Sequence, residues 1–367
     1  MTTHMRAARL HQPGQPLRID NVEKPKPRAG DVLIAVKSCG VIPNMNAIFS
    51  GTLWNHLPPL PASVGLDAAG VVAEVGERVV DIHVGDRVYV NPWLSCGQCA
   101  YCRSDEPMLC SSAAFQGYFG FYPQSRPQLE AYPFGGFSEF MTASPQRLVK
   151  LPTEISFDQA ARLGYIGTSF AALRAGKVGA GSAIAINGIT GTLGVGATLL
   201  ALGMGATRIL GFGRNRNVMS QLKALAPKRI DTLALDEQPI AEWMRDRTDQ
   251  VGVDVLIDCS ARSATSSVTA SALSGLKRGG IVVNIGALTE PLPIEPFRFM
   301  NSRLHFQGSN WFTTGEGQLM AEMARVGVLD LSHLTPQPYP LDRVNDALEA
   351  VKKRPGGFVN IVVNPDR

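Results

Sequence analysis

Apolar positions along this chain follow two different periods, and the change falls near residue 155. Upstream, Asp31–Val41 (DVLIAVKSCGV) and Ala69–Val80 (AGVVAEVGERVV) alternate or cluster β-branched residues between glycine and proline punctuation. That is the pattern of β-strands. GDRVYV, GGFSEFMTAS and RLVKLP continue it, interrupted by an aromatic, proline-containing loop over residues 112–135. Downstream, strand-like and helical stretches take turns. AIAIN (183–187) precedes an apolar helical run, Leu193–Gly203; RILGF (208–212) precedes NVMSQLKALA; VDVLID (253–258) precedes ATSSVTASALSGL and then GGIVVNIGA. That order predicts a doubly wound parallel sheet, an α/β fold. A further strand (LHFQGSN), two helical segments and a closing strand (FVNIVVN) end the chain. The expected division is therefore 1–154 β-rich, 155–304 parallel α/β, and 305–367 a tail.

Ser182–Thr207 carries no charge and invites comparison with a membrane span. It is rich in glycine and holds Asn187, Thr190 and Thr192, so it reads as strand, glycine turn and buried helix instead. The 367 residues suffice for two domains, and 45% apolar with 18% charged residues is a globular balance. The net charge of +4 comes from scattered lysines and arginines with no basic run, which argues against nucleic acid as a main partner. The opening MTTHMRAARLHQPGQ has no apolar core of a signal peptide, and six cysteines are too few for a disulfide scaffold. A reducing, cytoplasmic setting and no membrane are expected.

Four of those cysteines change the picture. Cys96, Cys99, Cys102 and Cys110 form a C-x2-C-x2-C-x7-C series. Four thiolates on one short lobe close a tetrahedron around zinc and leave no position for water or substrate, so such an ion holds structure only. The alternative, two disulfides or four free thiols, suits such close spacing less well. Cys39 and Cys259 sit in apolar surroundings, where a buried inert thiol is the default.

The turn after AIAIN reads Asn187-Gly188-Ile189-Thr190-Gly191-Thr192-Leu193-Gly194. Its glycines allow a tight turn and close approach of backbone to a pyrophosphate, and the following helix offers free N–H groups to the phosphates. The spacing is G-x-x-G-x-x-G, not G-x-G-x-x-G; the flanking strand, helix and second strand carry the nucleotide reading against a merely tight βα turn. The second strand ends in Gly213, Arg214, Asn215 and Arg216. An NAD site would place an acid there for the ribose hydroxyls. Glycine leaves room for a 2′-phosphate and a guanidinium pairs with it bidentately, which points to NADPH. The alternative is two solvated arginines at a helix entry.

With these motifs in hand, the chain resembles the medium-chain dehydrogenase/reductase superfamily along nearly its whole length. The cysteine lobe is similar to the structural zinc lobe of its alcohol dehydrogenases. GDRV, GGFSEF, LVKLP and the glycine turn are similar to stretches recurring across the superfamily. The resemblance implies a GroES-like catalytic domain, 1–154 completed by 305–367, around a Rossmann domain at 155–304. It also implies an NAD(P)-dependent oxidoreductase, a dimer or tetramer.

The resemblance further implies where a second, catalytic zinc would sit. Where the alcohol dehydrogenases carry a ligand in a C-G-[VI]-C-type stretch, this chain has Cys39-Gly40-Val41-Ile42; where they have G-H-E, it has Gly65-Leu66-Asp67. The third region reads Leu163-Gly164-Tyr165-Ile166. Ile, Leu and Gly offer no electron pair, and a catalytic zinc needs three protein donors. No catalytic zinc is expected; Cys39 reads as a small core residue, and Asp67 as satisfying local backbone or a positive partner. Gly40–Pro43 and Gly65–Val72 look more like the zinc-free quinone oxidoreductases, with Ile42 in place of an Asn and Met45 in place of an Asp.

Candidate catalytic residues follow from those positions. Asn44 falls two residues after the missing first ligand and can hydrogen-bond an oxyanion; Tyr165, beside the missing third, can donate a proton; Thr168 resembles a position near the nicotinamide. Gly286–Ala287 and Gly308-Ser309-Asn310 resemble stretches whose backbone meets the carboxamide. The bland readings are a turn residue for Asn44 and a core aromatic for Tyr165; His56 reads as a surface loop residue rather than a proton donor. The aromatic loop is a candidate wall for an apolar, aromatic substrate. Without a Lewis acid, hydride transfer is easiest to acceptors that already delocalise negative charge. The expected reaction is NADPH-dependent reduction of an activated C=C or quinone. A zinc-free alcohol or carbonyl oxidoreductase and a non-catalytic NADPH-binding protein are the competing readings.

Overall fold

The β-branched runs of the first half meet in one sheet, antiparallel except at its edge, where Thr335–Pro340 pairs parallel with Val359–Asn364. In this computed structural model, which describes residues 3–53 and 56–366, Val32–Gly40 lies near its centre, with Val32, Leu33, Ile34 and Val36 buried. The sheet runs Leu148–Lys150, Arg87–Val90, Asp67–Val75, Val32–Gly40, Val359–Asn364, Thr335–Pro340, and Phe140–Ala143 adds a further pairing to Val32–Gly40. A strand from the end of the chain thus pairs with one from its beginning, Val363 opposite Cys39. A smaller sheet of Arg18–Glu23, His4–Leu10 and Ala62–Ser63 flanks it.

The second half builds six parallel strands in the order Ile230–Ala234, Arg208–Gly213, Ala183–Asn187, Val253–Asp258, Leu276–Asn284, His305–Gly308. Numbered along the chain this is 3-2-1-4-5-6, the doubly wound order whose crevice opens beyond the first and fourth strands. Near-continuous apolar strands such as Ala183–Asn187, buried from Ile184 onward, suit a sheet covered on both faces. The helices Leu163–Ala175 and Thr192–Gly203 pack together against it. Among the described residues no helix is long and apolar enough to cross a membrane.

Three expectations need correction. The parallel sheet does not stop at 304: His305–Gly308 pairs with Ile281–Asn284 and satisfies that strand's outer backbone edge. Residues 112–135 are not an irregular loop. They hold the short strands Ala114–Phe115 and Phe119–Gly120, which pair with Trp93–Leu94, and the helix Arg126–Ala131. The helix Leu163–Ala175 gives no amphipathic signal because most of its residues are buried, and the strand pattern of 69–80 ends at Val75 in a turn.

Candidate active site and cofactor crevice

The cysteine lobe gathers its four thiols by local geometry. All four Sγ atoms lie within 4.8 Å of one another, and Cys96 and Cys102 Sγ are 4.0 Å apart. A tetrahedral S4 zinc site, with bonds near 2.3 Å, has edges of about 3.8 Å. The backbone N–H groups of Gln98 and Cys99 donate to Cys96 Sγ, and that of Cys96 donates to Cys110 Sγ. The N–H groups of Cys102 and Ser111 pull the Cys99 thiol down to about 6, while burial and Cys99 itself push Cys102 up to about 12. A dication would relieve that conflict, so the donor set fits zinc. Among the described residues this is the one cluster of at least three metal-ligating side chains.

The cofactor candidates collect at the carboxyl ends of the parallel strands. Gly188 turns the chain at φ +76°, and a Cβ on Gly194 would collide with Gly188 O. Val195 N–H is the first to reach an acceptor along the helix, Gly191 O, so Thr192, Leu193 and Gly194 present N–H groups without an intrahelical partner. A cradle this close-packed, with free donors at its lip, fits a pyrophosphate. At the end of the second strand, a Cβ on Gly213 would meet Thr190 at 3.2 Å. Arg214 is exposed, and among the described residues nothing pairs with it. Asn215 is occupied capping a helix, its Oδ1 accepting from Val218 N–H, and Arg216 is held by Asp236 and Glu237. Gly286 and Ala287 lie against Ser260, whose carbonyl accepts from Ala287 N–H; Ser309 N–H donates to Asn284 O, and Asn310 is exposed.

The strand ends are locked by a polar group that sequence inspection missed. Asn187 Nδ2 donates to Asp258 Oδ1 and to Thr269 Oγ1, and the Thr269 hydroxyl donates to Asp258 Oδ2. All three are buried. Polar residues closing otherwise apolar strands were the available signal.

The catalytic candidates divide. Asn44 precedes the short helix Met45–Phe49, and its Oδ1 accepts from the Tyr118 hydroxyl at 2.9 Å and the Tyr165 hydroxyl at 3.4 Å. Tyr118 is buried with this one acceptor, so its proton fixes the amide's orientation: oxygen toward the phenols, Nδ2 away from them. Burial, with Asp67 nearby, holds the Tyr165 phenol protonated well above its ordinary range. Thr168 spends its proton within the helix, on Gly164 O. Among the aromatics of residues 112–135, Phe115 and Phe119 are core: they pack with Phe121, Trp93 and Trp311 at centroid separations of 4.6–5.5 Å. Tyr118 reaches the candidate site through a hydrogen bond. His56 contributes its carbonyl to Gly120 N–H.

Asp67 stands beside the positions at which the resemblance would put a second zinc. The register pairs it with Gly40 and brings both loops to the start of the helix Leu163–Ala175. A Cβ on Gly164 would run into Asp67 Oδ1, so the carboxyl group fills the space a longer residue at 164 would need. Its Oδ1 accepts from the Tyr89 hydroxyl at 2.8 Å, and its buried Oδ2 has no hydrogen-bond partner among the described residues. Of the two expected roles, local backbone and a positive partner, the first is corrected to a phenol, and the second holds only through the charge of the nearby Arg162. Burial pushes the acid up to about 7, against the Tyr89 hydrogen bond and the nearby Arg162 guanidinium. Arg162 is buried too and donates to Val359 O. Ile42, Leu66 and Cys39 are buried as well.

Comparison with known proteins agrees with this architecture. A family model described as "Alcohol dehydrogenase GroES-like domain" matches residues 28–153, and one described as "Zinc-binding dehydrogenase" matches residues 192–325. An alcohol dehydrogenase of Geobacillus stearothermophilus is 30% identical over 352 residues, 95% of this chain and 96% of its own. The chain belongs to the medium-chain dehydrogenase/reductase superfamily. This superfamily member is an oxidoreductase. The sorbitol dehydrogenase of Bacillus subtilis (strain 168) is 25% identical over 99% of the chain and 98% of its own. The crystal structure of AibC superposes with a TM-score of 0.86 at 27% identity, covering 99% of this chain and 96% of that one. A protein of Sinorhizobium meliloti 1021 solved bound to NADP superposes at 0.83 with 24% identity, over 99% of this chain and all of that one; it shares the fold.

Proposed function

We propose that this oxidoreductase transfers hydride from NADPH to an activated C=C or quinone-type acceptor, with zinc in the cysteine lobe only. The observation that carries the reading is the packing at Asp67. Two hydrocarbon side chains, Ile42 and Leu66, and a glycine with no room for a side chain, Gly164, stand where three metal donors would be needed. NADPH supplies the hydride when bound. The protein's part is then to hold the acceptor and meet the negative charge that grows on its oxygen. Asn44 serves this: with its oxygen occupied by two phenols, its Nδ2–H is a fixed donor for an oxyanion. Tyr165, its hydroxyl directed at the same oxygen and kept protonated by burial, backs that amide as a hydrogen-bond donor, and solvent supplies the proton that completes the reduced product. Thr168 lies one helical turn beyond Gly164 and is assigned to the nicotinamide side. Gly188, Gly191 and Gly194, with the N–H groups of Thr192 and Leu193, are assigned to the pyrophosphate, and Gly213 with Arg214 to the 2′-phosphate. Asn215 and Arg216 then shape the rim instead of binding it.

A zinc-free alcohol or carbonyl oxidoreductase is the second reading, favoured by the names of the relatives and by the protonated Tyr165. One paired measurement separates the two: zinc per chain by elemental analysis, and NADPH oxidation over matched panels of enones and quinones against simple ketones. One zinc per chain with enone or quinone turnover is expected. Two zincs, or turnover confined to ketones and alcohols, would overturn the proposal. A homo-oligomer and a setting without membrane or nucleic-acid partners complete it.

A further inference from the structure

The tail of the catalytic domain crosses back over the cofactor crevice. After the helix Val344–Lys352, residues 353–357 (KRPGG) enter the space between the glycine turn and the helix Arg216–Leu225. Gly357 N–H donates to Thr190 O at 3.0 Å. A Cβ on Gly357 would collide with Gly191 O and Val195 Cγ2, and one on Gly356 would lie 2.9 Å from Val218 Cγ2. Gly356 also holds φ at +104°. Two positions that exclude a side chain therefore fix this loop against both halves of the crevice's adenosine end.

Just upstream, Arg354 is exposed, and its backbone is set at φ +49°. Among the described residues its guanidinium has no hydrogen-bond or ion-pair partner, whereas Lys352 is paired with Glu349. The opposite wall shows the same asymmetry. Arg216 is consumed by Asp236 and Glu237, and Arg214 is left free. Among the described residues each wall thus carries one guanidinium that no carboxylate answers: Arg214 at the end of the second strand, and Arg354 two residues before Gly356, which meets Val218 of the helix that follows that strand.

We propose that Arg354 and Arg214 form a two-sided clamp on the 2′-phosphate of NADPH, one arginine from each domain. This rests on the NADPH assignment above and extends it to the tail. A phosphate monoester has oxygens enough for two bidentate guanidinium pairs, and charge-assisted bonds of this kind are the stronger ones. Because the arginines belong to different domains, the phosphate also ties the tail loop to the crevice. Coenzyme choice then depends on the catalytic domain as well as on the nucleotide-binding one.

The test is nucleotide affinity by titration calorimetry, with NADPH, NADH and adenosine 2′,5′-bisphosphate as probes, on the full-length chain. Arg354→Ala should weaken NADPH and the bisphosphate by about tenfold while changing NADH less than about twofold. Arg354→Lys should fall between. Lys352→Ala removes the same charge two positions away and should leave all three affinities unchanged. Equal loss for NADPH and NADH in Arg354→Ala, no loss at all, or the same loss in Lys352→Ala would overturn the clamp. A wild-type chain that binds NADH as tightly as NADPH would instead defeat the coenzyme assignment itself, so the two failures are distinguishable.

Discussion

Asp67 is an acid in a place that penalises its charge. One oxygen has a single phenolic donor and the other has none, and Arg162 stands too far off for an ion pair within 4 Å. Burial is the largest influence, and it lifts the acid to about 7. An unfolded chain titrates the same group near 3.9. Between those two values the folded protein holds a proton that the unfolded chain has released. Stability is therefore fullest below about pH 4, declines as pH rises through 7, and is level above. Each tenfold change in the acid constant corresponds to about 1.4 kcal/mol. Asp67→Asn keeps the shape and an acceptor for Tyr89 but cannot ionise. Urea titrations at pH 5 and pH 8 should show the wild type losing more stability than Asp67→Asn, by on the order of 1 kcal/mol or more. Parallel losses in the two proteins would mean the acid ionises without penalty, and the packing argument at Gly164 would weaken with it.

At the scale of elements, the cysteine lobe leans on the core through Cys110 and Met108 and closes on itself through its four thiols. Its helix, Ala100–Arg103, has no buried residue, and the turn Pro107–Leu109 has none either. Structural zinc contributes folding energy directly in such small lobes. Cys110→Ser, or stripping with a strong chelator, should lower the melting temperature by roughly 5–10 °C. NADPH affinity should stay within about twofold, because the crevice lies in the other domain. A loss of nucleotide binding with unchanged melting would refute that division. The same contrast explains what could be read from the sequence. The lobe and the glycine turn are local: ligand identity, spacing and glycine placement lie within a few residues, so both were legible. Asn44, Tyr165 and Thr168 were reachable only through resemblance. The Asp67–Tyr89–Arg162 group was not legible, because its members arrive from two strands and a helix entry far apart in the chain. Tyr118 was visible as one aromatic among many; only the fold turns its hydroxyl toward Asn44. The docking of Gly357 on the glycine turn is likewise a contact across more than a hundred and sixty positions, and no periodicity announces it.

For the whole molecule, the parallel sheet ends in an open edge. His305–Gly308 pairs on one side only, with Leu276–Asn284, and its other backbone edge has no strand beside it among the described residues. Edges of this kind are templates for pairing with another chain. The neighbouring helix Pro296–Ser302 has no buried residue, and Phe297 and Met300 on it are 75% and 66% exposed. Phe306 on the edge strand is 40% exposed. Large apolar side chains gathered beside an open strand mark an interface between copies more readily than a solvated face. A two-fold pairing along this edge would extend six strands to twelve, cover Phe297 and Met300, and leave both cofactor crevices on the outer carboxyl ends. Phe297→Asp combined with Met300→Asp should then shift the mass measured by light scattering from dimer or tetramer toward a smaller species. NADPH affinity should be preserved, because neither residue approaches the glycine turn. A wild-type chain that scatters as a monomer at micromolar concentration, or a double variant that keeps its full assembly, would show that this edge faces solvent.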